Sequence, residues 1–510
     1  MKTCFAKGTR VKKANPALLL DHASVVHLGV CRSVERTSRA RKMRKAVSAS
    51  LSATKEGSAQ RTFEELLQKY AHVDEGMNVD IREGSQGRCL FWSAADRDID
   101  SAALTLHVPS KYLLSVSLSP PWQYTPAASS YPPLQELLED AKTPSAVKLA
   151  ALLLWASSSQ LMVKTSASDE VKEFRALWTA YRQYLPQLSE MTSIVCFTPG
   201  TPECAALQDE VLEKEVGSIV DGLRLWHTRY FEGTELEVLA PDPQTLLWAL
   251  AILRTRSLKF PNPDASTIVP QEIMLLTPFI DMANHSAEGG ALVNLLSSGL
   301  SLSVSGHSAT PSSSSTDGPD QGATEATFVY GNFSNRDFMR SFGFVEDANV
   351  GEEMDLVVST PDEQHVVEHL FDHTDAIVTS KGTTFTVLPH QEVVYRCSSS
   401  AEALAAWPAE FAGVTDTGFD PQVARAYAVR MAAAAAVLAR QCTEQLHHFE
   451  TTLAEDRALL EDSSVGMTAL MEAAVRYRIS RKCAIESAQH RIEEYKRDAE
   501  HAAQPDNYDK

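Results

Sequence analysis

One stretch constrains the fold of this 510-residue chain more than any other. The apolar run Ile273-Met274-Leu275-Leu276 stops at Thr277-Pro278, and Phe279-Ile280-Asp281-Met282-Ala283-Asn284-His285 then crowds an Asp, an Asn and a His together. A buried approach that ends in such groups must satisfy each of them, because an unpaired buried polar group costs about 1–3 kcal/mol. Alone, the stretch leaves two readings: a capped loop in which Asp281 and Asn284 bond local amides, or a site. A second stretch, Tyr330-Gly331-Asn332-Phe333-Ser334-Asn335, followed by Phe342-Gly343-Phe344-Val345, tips the balance to a site.

Taken together, these segments resemble the C-terminal half of a SET domain. The branch is the Rubisco large-subunit methyltransferase type, which includes the actin-histidine methyltransferases. The resemblance implies an α+β SET fold: small twisted β-sheets, a pseudoknot in which the Asn-His pair passes beneath another segment, a helical insert and an all-α C-terminal domain. It implies S-adenosyl-L-methionine as cofactor, a protein substrate and no metal. Position by position, it implies that Asn284 and His285 help bind the cofactor, that Asp281 contacts the cofactor amine or braces the pocket, and that Tyr330 is catalytic. Phe342 stands where some relatives carry a second tyrosine, and is assigned to the cofactor side.

The bulk properties exclude several alternatives. Hydrophobic residues make up 44% and charged residues 22%, as in an ordinary globular protein. The length exceeds one core, so two or three domains are expected. No apolar run approaches the roughly 18–20 residues that span a bilayer. The net charge of −19 is uneven: residues 1–60 carry thirteen Lys and Arg against three acids, leaving −29 on the remainder. So acidic a body argues against general nucleic-acid binding and would suit a basic protein partner. The eight cysteines are scattered without a Cys-x-x-Cys pair, which argues against a zinc cluster and fits a reducing compartment.

Residues 1–60 form a basic leader, expected to be disordered, with Arg39-Ala40-Arg41-Lys42-Met43-Arg44-Lys45 at its centre. A mitochondrial transit peptide, a nuclear-type basic cluster and a plain solvated tail all fit it. The localisation expected is intracellular, in cytoplasm or nucleus, with the mitochondrion open. A SET domain is expected over 61–395, a helical C-terminal substrate-binding domain over 396–510, and a monomer as the working unit.

Within the SET region, Thr62 to Val73 reads as an amphipathic helix with Phe63, Leu66, Leu67 and Tyr70 on one face. Strand-like pieces follow around Gly84-Ser85-Gln86-Gly87-Arg88-Cys89-Leu90-Phe91 and Leu104 to Pro109. The resemblance places a Gly-x-Gly cofactor turn here, implicating Gly87, Arg88 and Leu90, with Cys89 in place of the second glycine. Residues 133–240 are helical in pattern. Trp178, Tyr181 and Tyr184 read as a core stripe, within a segment that resembles the family's Trp-x-x-Tyr-x-x-x-Leu-Pro. Leu246 to Leu253 reads as a buried helix ending at Arg254-Thr255-Arg256. A guanidinium matches two carboxylate oxygens at once, and the resemblance selects Arg256 for the cofactor carboxylate. Ser297 to Glu325 is Ser/Gly/Pro-rich and reads as a flexible loop between strands Leu300 to Val304 and Ala326 to Tyr330. Strand-like pieces recur at Asp355 to Val358 and Thr384 to Leu388, and an alanine-rich helical tail begins near residue 400.

Methyl transfer from a sulfonium to nitrogen needs a neutral nucleophile, so a lysine must first lose its proton in a desolvating channel. The resemblance places Leu258 and Ile280 beside the acceptor, where apolar side chains suit a lysine stem. A histidine acceptor and a non-catalytic SET-fold binding module are the competing readings.

Overall fold

The computed structural model describes residues 62–84, 87–94, 104–116, 130–159, 161, 167–261, 272–304, 323–347, 349, 352, 354–358, 377–379, 382–387, 421–462 and 466–504. The basic leader, and residues 305–322 of the expected loop, lie outside them.

Helix α1 spans residues 62–70 and buries Phe63, Leu66, Leu67 and Tyr70, as its spacing requires. It ends earlier than the pattern suggested, because His72–Val73 pairs as strand β1 with Leu106 and His107. Strands β2 (Met77–Gly84) and β3 (Gly87–Ala94) form a hairpin whose last pair is Gly84 with Gly87. Gly87 has φ +96°, a conformation that favours glycine. Strand β4 (Leu104–Pro109) alternates buried Leu104, Leu106 and Val108 with half-exposed Thr105 and His107, so one face of its sheet is core. Strand β5 is Leu114–Ser115.

Helices α2 (Pro132–Glu139), α3 (Ser145–Ser157), α4 (Asp169–Tyr181), α5 (Pro202–Ala205) and α6 (Glu210–Tyr230) follow, over the stretch read as helical in pattern. Helix α3 is buried nearly all round, as its run of Ala and Leu dictates. Helix α7 (Pro243–Arg256) starts on an Asp242 cap and buries every residue from Leu246 to Leu253. Next come β6 (Leu258–Pro261), β7 (Glu272–Leu276), β8 (Asn284–His285), β9 (Leu292–Leu296), β10 (Gly299–Val304), β11 (Thr324–Glu325) and β12 (Thr327–Phe328). Strand β10 contains the expected strand Leu300 to Val304, held by Leu300, Leu302 and Val304 in the core. Thr324–Glu325, read as loop, is strand because it pairs with Trp92 and Phe91 of β3.

The chain divides into two compact units, residues 1–191 with 217–331 and residues 192–216 with 332–510. The first unit carries the small sheets: β1-β4-β10-β9, β11-β3-β2, β5-β7-β6 and the parallel pair β12-β8.

The second unit contains α8 (Asn335–Ser341), β13 (Met354–Val358), β14 (Ile377–Thr379), β15 (Gly382–Val387), α9 (Pro421–His447), α10 (Leu453–Glu461) and α11 (Ala469–Ala502). Helices α9 and α11 pack through Ala434, Ala435, Leu438, Ala439, Ile485 and Ala488; the alanines let two long helices approach closely while Leu438 and Ile485 fill the space between them. Thr468 caps α11, and Thr452 and Glu455 form a capping box on α10. Among the described residues, no helix is long and apolar enough to cross a membrane.

Candidate active site

The site grows from the turn that ends β7. Thr277-Pro278 stops the strand, and the Ile280 amide donates to the Pro278 carbonyl at 2.9 Å, closing a three-residue γ-turn around Phe279. Phe279 sits at φ +72°, ψ −55°, a conformation that costs of order 1–3 kcal/mol and persists only where its surroundings over-determine it. The surroundings do so. The Phe279 ring is fully buried and meets Tyr181 edge-on at 5.4 Å and Phe63 at 5.6 Å, and Tyr184 closes on Phe63 at 5.3 Å. The Tyr181 hydroxyl accepts the Phe279 N–H at 2.9 Å and donates to Asp281 Oδ1 at 2.5 Å.

Asp281 also faces α7 through two of its oxygens. Its carbonyl oxygen accepts from Arg256 Nη1 at 2.8 Å, and its Oδ2 lies 3.6 Å from the same guanidinium nitrogen. Burial pushes the Asp281 carboxyl up to about 6, against the opposing pull of Arg256 and the Tyr181 hydroxyl. Relative to about 3.9 in an unfolded chain, this raised value means the carboxyl's contribution to stability is present below about pH 4. It is lost as pH rises through about 6, on the order of 3 kcal/mol. A group kept at such a cost is a functional candidate.

From Asp281 the chain runs into β8, which pairs parallel with β12, Asn284 opposite Thr327 and His285 opposite Phe328. This is the crossing that the SET resemblance implies. Gly289 lies against the crossing strand: a Cβ there would stand 2.6 Å from the Phe328 Cα. Gly289→Ala is therefore expected to destabilise the first unit by about 1–3 kcal/mol, read as a lower denaturation midpoint with unchanged m-value. An unchanged midpoint would mean the crossing is looser than drawn.

Just beyond the crossing, the Tyr330 N–H donates to His285 Nδ1 at 3.1 Å, which puts any proton of the neutral ring on Nε2. The Tyr330 hydroxyl donates to the Ala283 carbonyl at 2.9 Å. Its ring packs on Phe328 and His285 at 4.8 and 5.3 Å. Burial raises the Tyr330 phenol well above its ordinary range, so it remains a hydroxyl at any physiological pH. Asn284, His285 and Tyr330 thus converge, as do Arg256 and Asp281 with them.

The β2–β3 hairpin closes another side. Cys89 is fully buried, and its sulfur lies 2.8 Å from Asn284 Nδ2, which also donates to Glu325 Oε1 at 3.0 Å. Room for this sulfur comes from Gly84, where an added Cβ would collide with Cys89 Sγ. Leu90 is buried, and its carbonyl accepts from the Ala326 amide at 2.7 Å. Arg88 points elsewhere: it bonds the Tyr184 carbonyl at 2.9 Å and Glu190 at 3.1 Å, tying the hairpin to the insert. Leu258 pairs with Leu275 across β6 and β7, and Ile280 is fully buried in the turn. Phe342 belongs to the second unit, where it packs with Phe333, Phe338 and Phe344.

Tyr181, Glu325, Gly84 and Gly289 join the site without having been singled out. A buried tyrosine needs a partner for its hydroxyl, and that signal was available for Tyr181. A glycine inside a strand pattern marks close approach, which applies to Gly84. Glu325 carried no signal. A separate concavity of about 900 Å³ covers the outer face of β4, β10 and β9, lined by Thr105, His107, Ser301, Ser303, Val293 and Leu295; it holds none of the motif residues.

Residues 395–485 match the family model described as Rubisco LSMT substrate-binding. The match includes α9, α10 and about half of α11. No curated protein sequence matches the chain. Solved structures similar to it include the SET domain of LSMT bound to lysine and AdoHcy (17% identity, TM-score 0.49) and Rubisco LSMT bound to AdoMet (18%, 0.48). A third is Rubisco LSMT bound to sinefungin and monomethyllysine (18%, 0.49). Each alignment covers 87% of this chain and 93% of the other.

Proposed function

We propose that this chain is an S-adenosylmethionine-dependent protein N-methyltransferase that acts on lysine side chains. The observation that carries the reading is the convergence of Arg256 and Tyr330 on the five-residue run from Asp281 to His285. The match of residues 395–485 to a substrate-binding family model supports a protein as the second substrate.

The residues present fit the cofactor. Arg256 Nε and Asp281 Oδ2 are buried and without a hydrogen-bond partner, so a cationic and an anionic group lie side by side with capacity to spare. An amino-acid zwitterion, such as the methionine part of S-adenosylmethionine, meets both needs: Arg256 for its carboxylate, Asp281 for its ammonium. Gly87, Leu90, Asn284 and His285 form the neighbouring wall in this reading. When bound, the cofactor supplies an electrophilic methyl group on a sulfonium.

What the chain itself supplies is alignment. Tyr330, held neutral by burial, cannot serve as a phenolate base; it orients the acceptor nitrogen with its hydroxyl while the Ala283 carbonyl fixes that hydroxyl in turn. The acceptor lysine loses its proton because a desolvating channel disfavours the ammonium. Apolar Leu258 and Ile280 suit the lysine stem and offer no amide to an imidazole. The test is methyl transfer from isotopically labelled S-adenosylmethionine to a cell lysate, followed by mass spectrometry. Label on lysine is expected; label on histidine alone, or none, refutes the assignment.

A further inference from the structure

We propose that Tyr181 of the insert helix α4 is a positioning residue of this site, setting the Asp281 carboxylate and the strained turn before it. The proposal deepens the methyltransferase reading and rests on it for its functional meaning. Three observations within the first unit carry it. The hydroxyl is fully buried and makes two bonds, one to the centre of the turn and one to the residue that follows it: it accepts from the Phe279 amide at 2.9 Å and donates to Asp281 Oδ1 at 2.5 Å. Phe279 holds a positive φ that a non-glycine residue adopts only under constraint. The chain leaving the bridge carries the carbonyls to which the reactive groups are tied, since the Asp281 carbonyl holds Arg256 and the Ala283 carbonyl holds Tyr330.

A tyrosine used only for packing would need one partner for its hydroxyl. This one ties the turn to Asp281. The insert thereby acts on the site as well as on the core: α4 fixes where the Asp281 backbone leaves the turn, and so where Arg256 and Tyr330 find their acceptors. The charged and titratable groups facing the Asp281 carboxyl are Arg256 from α7, Tyr181 from α4 and Tyr330 from the segment after β12. Of these, Arg256 and Tyr181 favour its ionised form.

Tyr181→Phe keeps the ring and its packing and removes both hydroxyl bonds, so it separates positioning from bulk. Without the hydroxyl, the Asp281 carboxylate loses one of its two stabilising partners and holds its proton to higher pH. The thermal midpoint of the variant is therefore expected to fall below that of the wild type by about 2–4 °C near pH 8. The gap should narrow towards about pH 5, where the carboxyl is protonated in both proteins. In the Asp281→Asn background the pH dependence of the gap should vanish. Affinity for S-adenosylmethionine, measured by calorimetry across the same range, should fail at a higher pH in the variant as acid is added. A gap that stays constant with pH, or that keeps its pH dependence in the Asp281→Asn background, would overturn the proposal and leave Tyr181 as core. The thermal comparison requires no methyl transfer. If the wild type takes up no S-adenosylmethionine, the enzymatic reading falls while the melting data still decide whether Tyr181 sets Asp281.

Discussion

Tyr330→Phe is expected to lower methyl transfer by about 10²–10³-fold, the range for removing one preorganised hydrogen-bonding group from a reacting centre. The hydroxyl proton is held by the Ala283 carbonyl, so its oxygen is what accepts from the acceptor amine. The ring would keep its contacts with Phe328 and His285, and the main-chain bond from residue 330 to His285 does not involve the hydroxyl. The lost bond to the Ala283 carbonyl should cost only about 1 kcal/mol of stability. Cofactor affinity should therefore change little while turnover collapses. The measurement is single-turnover transfer of a labelled methyl group, with affinity for S-adenosylmethionine determined in parallel. Equal losses of binding and turnover would point to a structural tyrosine. An undiminished rate would remove Tyr330 from the chemistry.

Asp456→Ala should have the largest effect on stability, a loss of about 3–5 kcal/mol in the second unit. The Asp456 carboxylate is fully enclosed. It accepts from Arg478 Nε at 2.8 Å, Lys482 Nζ at 2.6 Å and Thr451 Oγ1 at 2.8 Å, with Arg478 Nη2 2.7 Å away in the ion pair. Both cations are themselves almost wholly buried, so truncating the acid strands two charges away from water. Burial by itself would raise the Asp456 carboxyl, but hydrogen bonds from Arg478, Lys482 and Thr451 outweigh it and hold the group below its ordinary value. The sign follows: its contribution is present above about pH 3.9, the unfolded value, and is lost as pH falls through the depressed folded value. Chemical denaturation near neutral pH checks the magnitude, and an acid titration of the wild type checks the direction. Since Asp456, Arg478 and Lys482 all lie within the segment matched to a substrate-binding model, the variant should retain cofactor binding by the first unit more fully than its own second unit retains its fold.

How far these residues could be read in advance depended on the kind of signal each one leaves. The alternation Leu104, Leu106, Val108 announces a half-buried strand, because a period of two can satisfy only one face. The run Leu246 to Leu253 announces a buried helix for the same reason at another period. The meeting of Asn284 and His285 with Tyr330 across a long stretch of chain is different. Strands of two residues, such as β8 and β12, are too short to show any periodicity, and only the resemblance linked them. Phe279 could not be read at all, since nothing in a phenylalanine signals a positive φ; the constraint comes from Phe63 and Tyr181, distant in sequence. The stripe of Trp178, Tyr181 and Tyr184 was correctly placed in the core, yet helical spacing is blind to what a buried hydroxyl touches. Cys89 reads as a departure from a Gly-x-Gly turn. The hairpin shows a compensating glycine at Gly84, whose missing side chain leaves the sulfur its space. Such an exchange between neighbouring positions shows only once the register is known.

The most direct test of the central claim is calorimetric titration of S-adenosylmethionine into the full chain, wild type and Arg256→Ala. The account expects one site per chain in the wild type, with affinity reduced at least about tenfold when the guanidinium that would meet the cofactor carboxylate is removed. A wild-type chain that gives no binding heat at any temperature tried, or an Arg256→Ala variant that binds as tightly as the wild type, would contradict it.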